Sequence, residues 1–215
     1  MNKKYKVTFL LDDNNLWIEK YLRKSKINQK NKKYQFFISK NYKNIKNQDI
    51  VFPLSYTKIL PKKFLLDNKN IVIAHCSKLP KNAGFAPLQY EILKNKKKFY
   101  ISLIKAIEKV DSGPIYLQNS FKLNGTELIN EIRSKQAIEV IKIIKEFLLK
   151  YPNIIAKKQS GNRNFNRRRN AKDSQLKINK TIKEQFNHLR INDNELYPSF
   201  FYYKGKRYIL KIYEK

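Results

Sequence analysis

His75 and Asp111 are the residues whose types and setting best suit proton handling in this chain. An apolar run, Ile71-Val72-Ile73-Ala74, ends at His75, and a loop punctuated by Pro80, Gly84 and Pro87 follows it. Asp111 comes 36 positions after His75, in Val110-Asp111-Ser112-Gly113. Imidazole changes charge near neutral pH, and the loop beyond a strand end is where open α/β folds place their chemistry. A carboxylate held beside an imidazole would fix its tautomer and steady its charged form. Ser77 adds a hydroxyl two residues on. The competing reading is a hydrogen-bonded core histidine at a strand terminus; the only other histidine is His188. Cys76 invites a nucleophile, yet neighbours on a strand point to opposite faces. As the single cysteine it excludes an internal disulfide and a cysteine-based zinc site and fits a reducing compartment; no metal site is expected.

The elements that must carry these residues follow from the apolar pattern. Residues 7–11, 34–38, 50–54 and 71–74 are short continuous apolar runs, the mark of strands buried on both faces. Asp12, Asp13, Asn14 and Asn15 are expected to cap a helix beginning near Trp17, and further helices are expected from Lys62 and Pro87. Strands alternating with helices predict an α/β fold with a largely parallel, Rossmann-like sheet covered on both faces. Residues 99–107 and 115–123 alternate and should pair antiparallel around the Asp111 loop. Residues 126–151 carry Leu128, Ile129, Ile132, Ile138, Ile141, Ile144, Phe147 and Leu148 at helical spacing, so one long core helix is expected, started by Thr126 and stopped by Pro152. The polar stretch 153–173 reads as a basic linker. A helix over 181–189 and an aromatic hairpin over 200–210, turning at Lys204-Gly205, complete the chain. The hairpin's aromatics, interleaved with lysines, could stack bases, but a half-buried strand is the reading preferred. The division expected is 1–152 as a catalytic domain, 153–173 as linker, and 174–215 as a helix and hairpin closing the same domain.

A hydrophobic fraction of 41% supports a globular core, whereas a net charge of +30 would point to nucleic acid or an anionic membrane. The distribution argues otherwise. Arginine occurs eight times, so 39 of the 47 basic residues are lysines, scattered through nearly every segment among Asn and Ile as a G- and C-poor coding composition would give. The exception is 163–169, where four arginines surround Asn164, Phe165 and Asn166. Guanidinium forks suit phosphate, and an exposed linker is the alternative. No apolar run approaches the ~20 residues that span a bilayer, and Met1-Asn2-Lys3-Lys4 leads into a strand, not a signal core. A cytoplasmic protein without a membrane partner is expected.

His75-Cys76-Ser77-Lys78-Leu79-Pro80-Lys81-Asn82-Ala83-Gly84-Phe85-Ala86-Pro87 resembles the loop of folate-dependent formyltransferases, and Asp111-Ser112-Gly113 resembles that family's second motif. Residues 54–61 are similar to the segment walling its pterin pocket, and 168–174 with 178–180 and 185–190 to the stretch closing its catalytic domain. The resemblance implies N10-formyltetrahydrofolate as co-substrate and an amine as acceptor. It gives His75 the role of general base or oxyanion donor, Asp111 that of orienting it and relaying the proton, and Ser77 that of a further donor. It places Ser55, Tyr56, Ile59, Leu60, Pro61 and Val110 at the folate. Two positions depart from the pattern: Ile73 stands where the family's catalytic asparagine usually is, and Ala83 replaces the arginine before the loop glycine, whose contact is either lost or supplied otherwise, with Lys81 the candidate.

For the acceptor, residues 11–17 and 197–211 look most like formyltransferases acting on nucleotide-linked amino sugars of pseudaminic-acid-type pathways. A UDP-4-amino-4,6-dideoxyhexose, formylated for a surface glycan or flagellin, is the expected substrate. Trp17 would face the sugar or base, and Lys81, Arg167, Arg168, Arg169 and Lys180 the phosphates. Methionyl-tRNA formyltransferase resembles this domain followed by a further domain that grips tRNA, so tRNA, and nucleic acid generally, is the disfavoured partner. A tRNA formyltransferase without that domain and a basic RNA-binding module are the alternatives. Exposed aromatics of the terminal hairpin offer an edge for a homodimer.

Overall fold

The computed structural model describes residues 4–13, 15–27 and 31–215. Six strands lie side by side in the order β2-β1-β3-β4-β6-β7. The first three, β1 (Tyr5–Leu11), β2 (Tyr34–Ser39) and β3 (Ile50–Leu54), run parallel, as buried apolar runs joined by crossovers should. A parallel bridge between Val51 and Ile71 brings in β4 (Val72–His75). From there the sheet is antiparallel: β4 pairs with β6 (Lys98–Lys105) and β6 with β7 (Ile115–Lys122), so the expected pair around Asp111 is present. The Rossmann-like α/β expectation therefore holds, with a parallel half and an antiparallel half.

Alternation along the strands sends side chains to two apolar layers. Val7, Phe9, Leu11, Ile50, Phe52, Leu54 and Val72 join the larger one, with Leu22 from α1 (Glu19–Lys24), Leu88 and Ile92 from α3 (Pro87–Leu93), and the inner face of α4 (Ile129–Lys150). Leu10, Val51 and Ile71 point the other way, onto Ile45 and onto Phe64 of α2 (Lys62–Leu66). Phe9 stacks between Phe36 and Phe52, and Phe147 meets Phe52 edge-on with centroids 5.8 Å apart.

Several local signals act differently from expectation. Helix α4 starts at Ile129, not Thr126, because the Glu127 carboxylate is taken by the backbone N–H groups of Asn124 and Gly125 and closes a turn there. Glu131 then accepts from the Leu128 N–H at the first turn. Ile138 is exposed, and Ala137, Val140 and Ile143 face the core in its place. Asn15 does not cap the 3₁₀ turn Leu16–Ile18 that opens α1; its amide donates to the Ser55 carbonyl, and Asp12 accepts from the Thr57 N–H at 2.9 Å. The Asn14 part of that capping expectation, like residues 1–3, lies outside the described residues.

Residues 153–173 pack against the body of the protein. Lys157 forms an antiparallel bridge with Ile115, and β8 (Phe165–Asn166) pairs parallel with β5 (Ala83–Gly84) in the loop after His75. Helix α5 (Ile182–Ile191) has a capping box between Thr181 and Glu184. Strands β9 (Ser199–Tyr203) and β10 (Lys206–Leu210) form the expected hairpin, and Lys204 and Gly205 both take positive φ, as a tight two-residue turn requires. Its base is buried at Ser199 and Phe200, while Tyr202, Tyr203 and Tyr208 are exposed. Among the described residues no helix is long and apolar enough to cross a membrane.

Candidate active site

Strand β4 ends at His75 because its preceding residues are apolar on both faces and its ladder to β6 closes at Ser102. The buried ring sits between two loops. Its Nε2 lies 2.9 Å from the Asn82 carbonyl, which can only accept, so this nitrogen carries a hydrogen. Its Nδ1 lies 3.5 Å from Asp111 Oδ2. That carboxylate oxygen also accepts the Gly84 N–H at 2.8 Å. Ser77 is buried, and its hydroxyl donates to the Lys81 carbonyl at 2.8 Å, so it shapes the loop and is not directed at His75.

The loops around this pair hold unusual backbone. Ser55, Asn82, Ala86 and Asp111 all adopt left-handed φ, from 46° to 55°. Non-glycine residues in that region are uncommon and are kept where surrounding contacts over-determine them. At Asn82 and Asp111 those contacts come from 157–169, while the Ser55 carbonyl accepts from Asn15. Gln159 donates to the carbonyls of Asp111 and Gly113 at 3.0 and 2.7 Å, and Arg163 to the Val110 carbonyl at 2.7 Å and to the Ser112 hydroxyl. Asn164 accepts from the Asn82 N–H at 2.9 Å and donates to its side-chain oxygen at 3.0 Å, while Asn82 Nδ2 donates to Glu91. The segment expected to be a linker is thus a strap that fixes both acceptors facing His75. Gly84 permits its approach: φ is +89°, and a Cβ there would collide with the Asn166 carbonyl and lie 2.8 Å from the Phe165 ring.

The expected folate segment forms a loop anchored by Asp12, Asn15 and Arg168, the last donating to the Thr57 carbonyl at 2.8 Å. Tyr56 and Leu60 pack on the α2 layer, Pro61 occupies the N-cap of α2, Ser55 is half-buried, and Ile59 stands 76% exposed. Val110 is exposed beside Asp111. Burial, with Asp12 nearby, raises the Tyr56 phenol above its ordinary value.

The residues expected at the phosphates are scattered. Arg167 forms an ion pair with Asp173, whose carboxyl it holds down at about 2. Arg169 donates to the Asp173 carbonyl and to Asn192, and burial lowers its pKa. Arg168 lies over the Phe85 ring at 4.6 Å. Lys81 is exposed near Ser77; Lys180 lines a different concavity, about 530 Å³, with Lys177, Asn179 and Tyr202. Trp17 is half-buried against the main core. Cys76 is buried with its thiol pushed up to about 12 by burial, against a weaker lowering by Gln136, which donates to Sγ. Asn82, Gln159, Asn164 and Asn166 carry no role in the sequence reading because single polar residues in an aperiodic stretch have no pattern to betray them. Among the described residues no cluster of His, Cys, Asp and Glu could hold a metal ion.

A buried imidazole–carboxylate pair at a strand end of a Rossmann-like α/β sheet, held by a strap, is an arrangement able to take up and pass on a proton. The chain belongs to the formyl transferase family, whose sequence profile matches residues 4–146. It is 30% identical over 177 residues to a curated methionyl-tRNA formyltransferase of Pelagibacter ubique, covering 76% of this chain and 54% of the relative. The chain spans about half, or less, of the length of the curated relatives it matches. A solved methionyl-tRNA formyltransferase from Clostridium thermocellum superposes with a TM-score of 0.80 at 25% identity, over 94% of this chain and 90% of that one. A 4-N formyltransferase from Francisella tularensis shares the fold with a TM-score of 0.70 at 19% identity, over 96% and 97% of the two chains.

Proposed function

We propose that this protein transfers the formyl group of N10-formyltetrahydrofolate to the primary amine of a nucleotide-linked amino sugar, of the UDP-4-amino-4,6-dideoxyhexose type. The juxtaposition of His75, Asp111 and the Gly84 N–H carries the reading. The amine lone pair forms a bond to the formyl carbon while the carbonyl pair moves onto oxygen. Collapse of that oxyanion breaks the bond to N10, which takes up a proton as the amine loses one. Asp111 Oδ2 is engaged by Gly84 and His75, which leaves its other oxygen to accept the amine proton directly or through one water, and His75 steadies the carboxylate during the relay. The loop of Ser55, Tyr56, Ile59, Leu60 and Pro61, with Val110, forms the folate wall, where exposed Ile59 gives an apolar face to a pterin ring. Lys81 and Arg168 are the cations best placed for the acceptor's phosphates.

The sugar acceptor is supported by the likeness of residues 11–17 and 197–211 to enzymes of that kind and by the shared fold with the 4-N formyltransferase. Initiator methionyl-tRNA is the second reading, favoured by the names of the curated relatives and of the structure with the 0.80 score. That residues 174–215 close the same domain as the catalytic part is supported by Arg190, buried, which donates to the Glu127 carbonyl, and by Arg133, which donates to Asp193. A cytoplasmic place of action is supported by the unpaired buried thiol.

Tetrahydrofolate release from N10-formyltetrahydrofolate tests the reading. Release with the nucleotide sugar alone is expected. Release with methionyl-tRNA alone overturns the acceptor, and release with neither overturns formyl transfer.

A further inference from the structure

Building a tetrahedral oxyanion at a formyl carbon requires a hydrogen-bond donor aimed at the developing charge. Near His75 nearly every donor is already used. The Gly84 N–H is given to Asp111, the Ser77 hydroxyl to Lys81, the His75 Nε2 hydrogen to Asn82, the Asn82 amide to Glu91 and the Asn164 amide to Asn82. Ile73, on the same strand as His75, has no polar group and packs with Leu79, Ala83 and Ile104.

One buried side-chain amide in this neighbourhood is uncommitted. Asn166 is 8% exposed, and its Nδ2 is buried without a hydrogen-bond partner among the described residues. A buried, unpaired amide costs free energy, so a native protein that keeps one calls for a functional reason. Its place supplies one. Asn166 stands in register with Gly84 on β8, its backbone carbonyl accepts the Phe85 N–H at 3.0 Å, and Gly84 holds the Asp111 oxygen that faces His75. A half turn about its last torsion exchanges the two ends of a carboxamide without changing its shape, so the NH2 can face either side.

We infer that Asn166 is the oxyanion donor of this site, its NH2 meeting the formyl oxygen as charge develops there. This rests on the formyl-transfer reading. Away from water such a bond is strong, and because the donor is otherwise unpaired no existing bond has to break when the oxyanion forms.

Asn166→Ala, assayed by tetrahydrofolate release with the acceptor that the wild type uses, is expected to lower kcat ~10²–10³-fold with KM for folate and acceptor nearly unchanged. Its melting temperature should equal or exceed that of the wild type, because an unpaired buried amide has been removed. Asn166→Ser, which keeps a donor, should recover part of the turnover. A kcat within about threefold of wild type overturns the assignment, since one lost oxyanion donor costs far more. So does a lower melting temperature with raised KM and unchanged kcat, the signature of a purely structural residue. Inactivity of the wild type with every amine overturns formyl transfer itself, whereas a wild type that turns over beside an Asn166→Ala of unchanged kcat overturns only the assignment of Asn166.

Discussion

The sheet with its apolar layers and the loops beyond the end of β4 are two halves of the molecule held together by different forces. Around β1 and β3 the contacts are apolar and interdigitated: Phe9, Phe52 and Phe147 are all but fully buried, and few side-chain hydrogen bonds are needed. In the loops beyond β4, around β5 and β8, the contacts are polar, made by Asn82, Asn164, Gln159 and Arg163 across 46 to 82 residues of sequence, and the backbone is repeatedly left-handed. One half supplies stability and the other spends conformational freedom to fix a carboxylate beside an imidazole. Substitutions should therefore separate, core changes appearing in melting behaviour and site changes in turnover.

The sharpest separation is expected at Asp111. Asp111→Asn keeps shape and the Gly84 contact but cannot relay a proton, so tetrahydrofolate release should fall ~10²–10⁴-fold with little change in melting temperature. Full turnover would end its role. Gly84→Ala should cross the boundary: it puts a side chain where φ is +89° and against the Asn166 carbonyl, so the strap must lift. Loss of both stability and turnover is expected; an active, normally melting variant would show that the strap is not needed. On the other side, Phe147→Ala should cost ~3–5 kcal/mol in denaturant unfolding and leave the kcat of the folded fraction intact.

What was legible in the sequence follows the same division. Residues 7–11, 50–54 and 71–74 read as buried strands because apolar runs report burial directly, and the long helix, expected over 126–151 and found over Ile129–Lys150, because its stripe is long. His75 and Asp111 were legible as types at strand and loop positions, and family likeness joined them. The strap was not. Its specificity resides in single Asn, Gln and Arg side chains reaching distant backbone, and nothing periodic distinguishes Asn164 from the many asparagines elsewhere. The arginine cluster misled for a related reason: charge density shows in sequence, but the partners Asp173 and Asn192 that consume Arg167 and Arg169 appear only on folding.

Glu127 tests the comparison with pH. Burial alone would raise its carboxyl, but Lys135 and the Asn124 and Gly125 amides outweigh it and bring the value to about 2. A carboxyl held below its unfolded value of about 4.5 adds stability that is full above that pH and lost as pH falls toward 2. At about 1.4 kcal/mol per unit this is worth on the order of 3 kcal/mol. Glu127→Gln should remove that much at pH 7 and flatten the acid limb of a stability profile between those values. An unchanged acid limb would show that the turn before α4 does not depend on the charge.

The smallest effect is expected at Cys76, which lies next to His75 in sequence but belongs, by its contacts, to the apolar half. It joins the core of Phe9 and Phe52, accepts from Gln136, and has a thiol pushed up to about 12. A thiol so far above neutral holds almost no thiolate at pH 8, and thiolate is the form that attacks alkylating reagents. Iodoacetamide should therefore leave the native protein unlabelled, label it once unfolded, and leave tetrahydrofolate release unaffected. Cys76→Ser, which keeps an acceptor for Gln136, should turn over as the wild type does. Rapid labelling of the native protein with loss of turnover would place Cys76 in the polar half after all, together with His75.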